Sequence, residues 1–388
     1  MPNQFLSDEF GDIEDYFVTD YRLIDQFVGD TLWVWGAGFG GRIGTNGTTV
    51  NIPVTTFAGG TNWKQVSQTN ESGSAIKTDG TLWTWGRNFE GQLGVNEGNV
   101  NKTTPVTTFA GGTDWKQVAQ GYRITAAIKT DGSLWTWGGN DAGQLGVNDT
   151  TNRSTPVTTF AGGNNWKQVT AKYQTVAAIK TDGSLWGWGR LTGSPNTAAR
   201  STPVTTFVGG NDWKQVSTGY AHKAAIKTDG SLWIWGRNNE GQLGIDDTTN
   251  RNTPVTTFVG GTTWKQVACG YRHTAAIKTD GSLWTWGHNY QGGLGDFTII
   301  NRSTPVTTFA GGNNWKSVAC GKGSTAAIKT DGSLWTWGRG NFNTLGAGNV
   351  SQINTPITTF AGGNNWKQVT IDDTTAAAVK SGLNVDLS

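Results

Sequence analysis

Three histidines are the residues of this 388-residue chain best suited to metal binding or proton transfer. His222 and His273 lie in similar short segments, and His288 follows a Trp-Gly pair. None of them has a cysteine or carboxylate at the spacing typical of a metal site. The pattern favours structural loop residues, and a metal site shared by His222 and His273 is the less favoured alternative.

Two cysteines and several aspartates are the other reactive candidates. Cys269 and Cys320 stand in identical Val-Ala-Cys-Gly segments. A disulfide needs Cα atoms about 4.4–6.8 Å apart, which equivalent positions of two repeats need not provide, so two buried thiols are favoured. Asp149, Asp246 and Asp247 lie in turn-forming segments without the spacing of a calcium loop. We therefore predict no catalytic residue, no cofactor and no metal site.

The chain is built from an internal repeat. The segment Leu-Trp-x-Trp-Gly occurs seven times, and successive copies lie 47 to 52 residues apart. All 21 tryptophans belong either to this segment or to a Trp-Lys pair that also recurs once per repeat. A period of this size indicates a repeat architecture. Tryptophans at fixed positions of every repeat predict packing between repeats rather than a binding site.

Each repeat has four short runs with strand character. In the unit 109–158 these runs begin at Trp115, Thr125, Ser133 and Pro156. The pair Asp131-Gly132 predicts a two-residue type I′ turn, and proline at the start of the fourth run predicts an edge strand. Four strands per unit are typical of a propeller blade, so we predict an all-β, seven-bladed β-propeller.

The two ends of the repeat region complement each other. The first copy begins at Thr31 without the strand that precedes it elsewhere, and the last copy ends near Lys380 without the strand that follows. We predict that the strand Thr31–Trp35 pairs with Thr375–Lys380 and closes the ring, because this pairing satisfies two otherwise open edges. Residues 29–388 then form the propeller, and residues 1–28 form an N-terminal extension.

The extension 1–28 is acidic and aromatic. Its net charge is −6, against +8 for the remainder of the chain. Apolar residues spaced by three or four predict one amphipathic helix, with the candidate anchor residues Tyr16, Phe17, Tyr21, Ile24 and Phe27. Two interpretations are equally favoured: a cap that packs against the propeller, and a docking segment for another protein.

Targeting signals are not evident in the sequence. The first residues lack the basic and apolar regions of a secretory signal. No segment approaches the roughly 20 apolar residues that span a bilayer. We therefore expect a soluble chain without a membrane span, cytoplasmic if it is not part of a virion.

The repeat resembles the RCC1-type repeat, named for regulator of chromosome condensation. The hallmark stands at Asp79–Gly94 as Asp-Gly-Thr-Leu-Trp-Thr-Trp-Gly-Arg-Asn-Phe-Glu-Gly-Gln-Leu-Gly, and again at Asp131–Gly146 and Asp229–Gly244. The resemblance covers residues 30–380 and implies a seven-bladed β-propeller.

The resemblance does not carry a function with it. For the namesake of the family, the resemblance implies nucleotide exchange on a small GTPase, aided by a protruding wedge in one blade. It also implies a basic N-terminal tail that contacts chromatin. Here no repeat interval exceeds 52 residues, and the extension is acidic. The exchange activity is therefore not transferred, and no binding residue of the family finds a matching motif.

One loop varies between repeats while the framework around it hardly changes. It follows the Trp-Lys run, and in four repeats it contains a tyrosine at the same position. These tyrosines and selected neighbours are Tyr122, Arg123, Tyr173, Tyr220, His222, Tyr271, Arg272 and His273. Tyrosine and arginine are enriched at binding hot spots, so these are the candidate partner-binding residues. Drift in exposed loops is the alternative. The lysines of the seven Trp-Lys pairs form a ring by symmetry. We interpret them as solvated surface residues in preference to a binding site for an anionic partner.

These observations predict a non-enzymatic binding or structural protein. The leading hypothesis is a virion component, such as a phage capsid decoration, tail or fibre protein, whose loops contact another virion protein or a host surface within a larger assembly. One alternative is a cellular protein-interaction scaffold or GTPase regulator of RCC1 type. Another is a propeller lectin that binds a glycan. The basic residues are not clustered in the sequence, so a nucleic-acid partner is not predicted.

Overall fold

A computed structural model describes residues 29–190, 199–205 and 209–382 of the chain. Within these residues, 28 β-strands form seven antiparallel sheets of four strands each. The first strand of every sheet contacts the first strand of the next sheet, and the last sheet contacts the first in the same way. The sheets are therefore the blades of a closed ring, and the predicted seven-bladed β-propeller is confirmed.

Four strands make each blade, and they are numbered along the chain. The innermost strands are β3 Trp63–Gln68, β7 Trp115–Gln120, β11 Trp166–Lys172, β15 Trp213–Thr218, β19 Trp264–Cys269, β23 Trp315–Cys320 and β27 Trp366–Ile371. The second strands are β4 Ser72–Lys77, β8 Ile124–Lys129, β12 Thr175–Lys180, β16 His222–Lys227, β20 His273–Lys278, β24 Ser324–Lys329 and β28 Thr375–Ser381. The third strands are β5 Leu82–Gly86, β9 Leu134–Gly138, β13 Leu185–Gly189, β17 Leu232–Gly236, β21 Leu283–Gly287, β25 Leu334–Arg339 and β1 Asp30–Gly36. The outermost strands are β6 Lys102–Thr107, β10 Arg153–Thr158, β14 Arg200–Thr205, β18 Arg251–Thr256, β22 Arg302–Thr307, β26 Gln352–Thr358 and β2 Val50–Thr55.

Blades 1 to 6 take their strands in chain order, starting from β3. Blade 7 consists of β27, β28, β1 and β2. Two short 3-10 helices, Phe39–Gly41 and Asn341–Asn343, lie in connections between third and fourth strands.

Blade 7 joins the two ends of the repeat region. β1 and β28 pair antiparallel over seven residue pairs, from Asp30 opposite Ser381 to Gly36 opposite Thr375. This pairing is the predicted closure of the ring. It leaves the closing blade with the same four-stranded order as the others, because each chain end supplies two strands.

The hairpin that joins second and third strands differs from the predicted type I′ turn. In blade 2, the Lys129 N–H donates to the Ser133 carbonyl and the Gly132 N–H donates to the Lys129 carbonyl, both at 3.0 Å. The loop therefore has three residues, 130–132, and of these only Gly132 has a positive φ, 83°. A turn followed by a left-handed glycine is the usual geometry of a three-residue hairpin loop. The Asp131 carboxylate accepts from the Ser133 N–H (2.8 Å), so its role is to close the turn.

The predicted start of the fourth strand was also wrong. β10 begins at Arg153, so Pro156 is the fourth residue of the strand and not the first. The pairing with β9 shifts register between Arg153 and Val157. Proline is tolerated there because a bulge on an outermost strand needs no N–H from that position.

Glutamines connect the innermost strands around the axis. The Gln65 side chain of blade 1 donates to the Val118 carbonyl (3.1 Å) of blade 2 and accepts from the Val118 N–H (3.0 Å). The same two-bond pairing recurs between Gln117 and Val169, Gln168 and Val216, Gln215 and Val267, Gln266 and Val318, and Gln368 and Val66. The seventh interface, between blades 6 and 7, has Ser317 in place of glutamine, and the buried Ser317 hydroxyl has no hydrogen-bond partner.

Replacing Ser317 with glutamine is expected to complete this ring. A net gain of about 1–2 kcal/mol in the free energy of unfolding is expected from two added hydrogen bonds and the removal of an unpaired hydroxyl. The measurement is the midpoint of chemical unfolding of the Ser317→Gln variant. Gln117→Ser is the matched control, since it opens a second gap at an intact interface and should lower the midpoint. Equal midpoints for both variants and the wild type would refute a stabilising role for the ring.

The tryptophans pack within and between blades, as predicted. In every blade two of them meet edge to face at 5.8–6.4 Å, for example Trp63 and Trp83. The lysine that ends the second strand, such as Lys77, lies over both rings with its ammonium 4.4–5.2 Å from their centroids. Such cation–π contacts contribute about 0.5–2 kcal/mol each. The last tryptophan of the segment reaches the neighbouring blade, since the Trp137 Nε1–H donates to the Gln92 carbonyl (2.9 Å).

The remaining sequence predictions concern the N-terminal extension, the two cysteines and membrane-spanning segments. The helix and the anchor residues Tyr16, Phe17, Tyr21, Ile24 and Phe27 lie in residues 1–28, which are outside the described part. Cys269 and Cys320 are buried, free thiols. In the described chain no helix is long and apolar enough to cross a membrane.

Candidate functional site

The variable loops lie together on one face of the ring. Loops that join first to second strands share a face with loops that join third to fourth strands, because successive strands of a blade are antiparallel. We call this side the tyrosine face; its inner loops are 69–71, 121–123, 173–174, 219–221, 270–272, 321–323 and 372–374. The innermost strands enclose an axial channel of about 270 Å³.

Four tyrosines from consecutive blades form a cluster near the axis. Tyr122 stacks on Tyr173 with ring centroids 5.6 Å apart, and Tyr220 stacks on Tyr271 at 4.1 Å. Tyr173 joins the two pairs, because it also meets Tyr220 edge to face at 4.4 Å and Tyr271 at 5.5 Å. All four rings are partly exposed. The structure thus brings together four residues that are separated by about 50 positions each in the sequence.

Tyr173 occupies the centre of the cluster because its loop is different. β11 is one residue longer than most innermost strands and ends at Lys172, so only residues 173–174 connect it to β12. Tyr173 has a φ of 52°, a conformation that is costly for a bulky side chain. Burial, together with the nearby Asp372 carboxylate, raises the pKa of the Tyr173 hydroxyl. The phenol therefore stays protonated and can donate a hydrogen bond.

Two arginines flank the cluster. The Arg123 guanidinium lies 5.0 Å from the Tyr122 ring centroid and pairs with Glu90 of the preceding blade (3.0 Å). Arg272 repeats the arrangement with Tyr271 (5.3 Å) and Glu240 (3.0 Å). Both arginines keep more than a third of their side-chain surface exposed. They are therefore held in place yet accessible to a partner.

Acidic residues of blade 7 face the tyrosines across the channel mouth. The Asp372 carboxylate pairs with Lys172 of blade 3 at 3.1 Å, and the two side chains are only 11% and 13% exposed. Blades 3 and 7 lie on opposite sides of the ring, so this ion pair crosses the axis. Asp373 pairs with Lys322 (3.0 Å) and Arg339 (2.8 Å). These two aspartates were not among the residues selected from the sequence, although their segment Ile371-Asp-Asp-Thr differs clearly from the corresponding segments of the other repeats.

A second carboxylate lies deeper on the same face. Glu71 of blade 1 accepts two hydrogen bonds from Arg87 (3.1 and 3.2 Å) and lies 3.8 Å from Arg42. Burial and the neighbouring Arg87 charge lower the pKa of Arg42. The cluster is well paired, so it holds the loop of blade 1 against the connection that precedes it rather than offering a free charge.

His222 and His273 are not available to a partner, which corrects their selection as candidate binding residues. Both are 1% exposed, and each Nε2 lies within 3.0 Å of a threonine hydroxyl of the next blade, Thr274 or Thr325. Burial lowers the pKa of each imidazole to about 3. Each histidine begins a second strand, where its side chain packs between blades. They are structural residues, as the absence of metal-ligand spacing indicated.

The remaining reactive candidates lie in turns or against an aromatic ring. Asp149 and Asp247 each accept a backbone N–H two residues on (2.8 Å) and pair with an arginine four residues on (2.5 Å). His288 meets Tyr290 edge to face at 5.0 Å. Among the described residues, no group of three or more His, Cys, Asp and Glu side chains is placed to hold a metal ion.

Fold and site together define a repeat propeller whose variable loops gather at one mouth of the axial channel. A family model described as the RCC1-like domain matches residues 31–378, and the chain belongs to that family.

Relatives and solved structures agree with this assignment. The ultraviolet-B receptor UVR8 of Arabidopsis thaliana is 30% identical over 248 residues, which cover 62% of this chain and 45% of UVR8. Human E3 ubiquitin-protein ligase HERC2 is 36% identical over 125 residues, 30% of this chain and 3% of HERC2. The chain thus spans less than half the length of these relatives. Yeast RCC1 (Prp20), solved bound to Kap60, has a TM-score of 0.79 at 18% identity, covering 100% of this chain and 95% of that one. At this identity the likeness supports the fold.

Proposed function

We propose that the chain is a non-enzymatic protein-binding module and that its tyrosine face is the contact surface. The observation that carries this proposal is the cluster of four partly exposed tyrosines, flanked by Arg123 and Arg272 and opposed by Asp373. Aromatic rings and arginine at the centre of a surface are the residues that contribute most to protein interfaces. The framework beneath them is rigid, so the side chains are preorganised for binding.

The chemistry of this face favours a protein partner with both apolar and charged groups. The tyrosine rings offer flat apolar area with hydroxyls at their edges. Arg123 and Arg272 attract carboxylates, whereas Lys322 and Asp373 form a paired charge beside them. The solved yeast relative is bound to a protein, Kap60. That comparison favours a cellular protein-interaction scaffold over a virion component or a lectin, and the virion role remains a prediction to be tested by proteomics of purified particles.

Replacing Tyr173 with glycine is expected to abolish partner binding while keeping the fold. Glycine adopts the positive φ of this position without strain, so stability should be retained, and loss of a central ring should weaken binding by about 30-fold or more. The measurement is quantitative affinity capture with the full chain, followed by titration of the captured protein. Phe160→Ala is the matched control, because Phe160 is an aromatic residue that follows the outermost strand β10, away from the inner loops of the tyrosine face, and is 66% exposed.

The proposal fails if capture is equal for Tyr173→Gly and wild type, or if Phe160→Ala is the variant that loses the partner. GTPase regulation is a narrower form of the same proposal. It predicts that the captured protein is a small GTPase and that the full chain accelerates nucleotide release from it. Release at the uncatalysed rate would leave a scaffold without exchange activity.

A further inference from the structure

A ring of seven lysines surrounds the other mouth of the axial channel. Each is the second residue of an innermost strand, one or two positions before the residues that line the channel, and all are exposed. Innermost strands run from this mouth toward the tyrosine face, so their first residues lie on the opposite side. We call this group the lysine ring; it consists of Lys64, Lys116, Lys167, Lys214, Lys265, Lys316 and Lys367.

Among the described residues, ion pairing accounts for one of the seven charges of the lysine ring. Lys367 pairs with Asp30 at 2.7 Å. In the described ranges, which end at residue 382 and omit 191–198 and 206–208, the structure records no ion pair for the other six. Like charges arranged around a low-dielectric opening produce a concentrated positive potential. Such a surface either binds an anionic partner or destabilises the fold through repulsion between its lysines.

The ion pair with Asp30 shows where the chain enters the propeller. Asp30 is the first residue of β1, and both of its carboxylate oxygens accept hydrogen bonds from the Lys367 ammonium. Residues 1–28 therefore join the described chain beside the lysine ring. That segment contains seven acidic residues and one arginine, a net charge of −6. Its opposite charge nearly matches that of the ring.

We propose that the lysine ring binds the acidic segment 1–28 of the same chain across this mouth of the channel. The segment of 28 residues reaches up to roughly 90 Å when extended, so its length does not limit the contact. Its covalent attachment beside Lys367 gives it an effective concentration in the millimolar range. The segment thereby occupies the ring and excludes other polyanions from it. This is a function of the face opposite the tyrosines, and it does not depend on the proposed protein-binding site.

The test uses the full chain and a carbodiimide reagent, which couples a carboxylate to a nearby amine. Peptide mass spectrometry is expected to find cross-links from Asp8–Asp25 to members of the lysine ring, within one chain. They should decrease about tenfold when the salt concentration rises from 0.05 M to 1 M, because the Debye length then falls to about 3 Å. Mixing isotopically labelled and unlabelled chains separates links within one chain from links between copies.

Three variants provide the controls. Lys116→Gln, Lys167→Gln and Lys214→Gln together remove three charges of the ring and should abolish the links to these positions and reduce the others. Arg153→Gln, Arg251→Gln and Arg302→Gln remove the same charge from outermost strands and should leave the links unchanged. A third variant converts the seven acids of residues 1–28 to amides. Thermal unfolding checks that each variant is folded.

A labelled deca-glutamate peptide reports whether the ring is occupied. The variant with a neutral segment is expected to bind it about tenfold more tightly than wild type, and the variant with three neutral ring lysines should bind it weakly. Equal binding by wild type and by the neutral-segment variant would overturn the proposal, since the ring would then be open to an external anion. Cross-links found only between labelled and unlabelled chains would also overturn it in favour of a second copy.

Discussion

A disulfide between positions 30 and 381 is expected to raise the free energy of unfolding by several kcal/mol. Asp30 and Ser381 are directly opposite each other at the end of the pairing that closes the ring, and both are partly exposed. They are 351 residues apart in the chain. The chain-entropy relation for a loop of this length yields about 5–6 kcal/mol, and strain brings typical gains to about 2–4 kcal/mol.

The experiment compares the oxidised and reduced forms of the Asp30→Cys, Ser381→Cys double variant by chemical unfolding. The cross-link is formed in the folded chain, where the two native thiols are protected, because Cys269 and Cys320 are buried and burial raises the pKa of the Cys269 thiol to about 12. Unfolding is then followed at acidic pH, where thiols exposed by unfolding stay protonated and exchange slowly. The reduced form is the control for the substitutions themselves. A cross-link that fails to form in the folded chain, or that leaves the unfolding midpoint unchanged, would contradict closure by β1 and β28.

Acidification from pH 6.5 to pH 5 is expected to destabilise the fold by about 3 kcal/mol through His222 and His273. The unfolded chain binds a proton on each imidazole near pH 6.5, whereas burial lowers the pKa of both to about 3 in the folded chain. The unfolded state therefore binds more protons between these values, and stability falls as the pH falls. Each unit of difference corresponds to about 1.4 kcal/mol per group.

The measurement is the free energy of unfolding between pH 7 and pH 4.5, in wild type and in the His222→Gln, His273→Gln variant. Glutamine keeps an amide near Thr274 and Thr325 and does not titrate, so the variant should lose most of the slope. Buried Lys223, whose pKa is lowered to about 8 by burial, changes the slope only above pH 8. A wild-type slope that the double variant reproduces would assign the effect to other groups.

The tyrosine cluster shows how much of the candidate site can be predicted from the spacing of the repeats. Equal spacing places all four tyrosines, Tyr122, Tyr173, Tyr220 and Tyr271, at one loop position of different blades, and a closed ring must then bring them toward the axis. What spacing could not show is the central place of Tyr173. It depends on the longer β11 and on a positive φ, which are properties of a single loop.

The charges of the tyrosine face could not be assigned from the sequence. Lys172 and Asp372 are 200 residues apart, yet their side chains meet at 3.1 Å because their blades face each other across the channel. The two histidines lie in the same kind of segment as the tyrosines and were selected with them. Their burial follows from strand register, since the first residue of a second strand points into the interface between blades.

The sequence by itself determined the number of blades, the four strands of each blade, the closing strand pair and the packing role of the tryptophans. These features follow from a period of about 51 residues, because every repeat must bury the same positions against its neighbours. Only the tertiary structure decided which variable residues are exposed on the tyrosine face. Side-chain direction and the ion pair across the axis arise when seven blades meet around one channel. The central place of Tyr173 depends in addition on the backbone of its own two-residue loop.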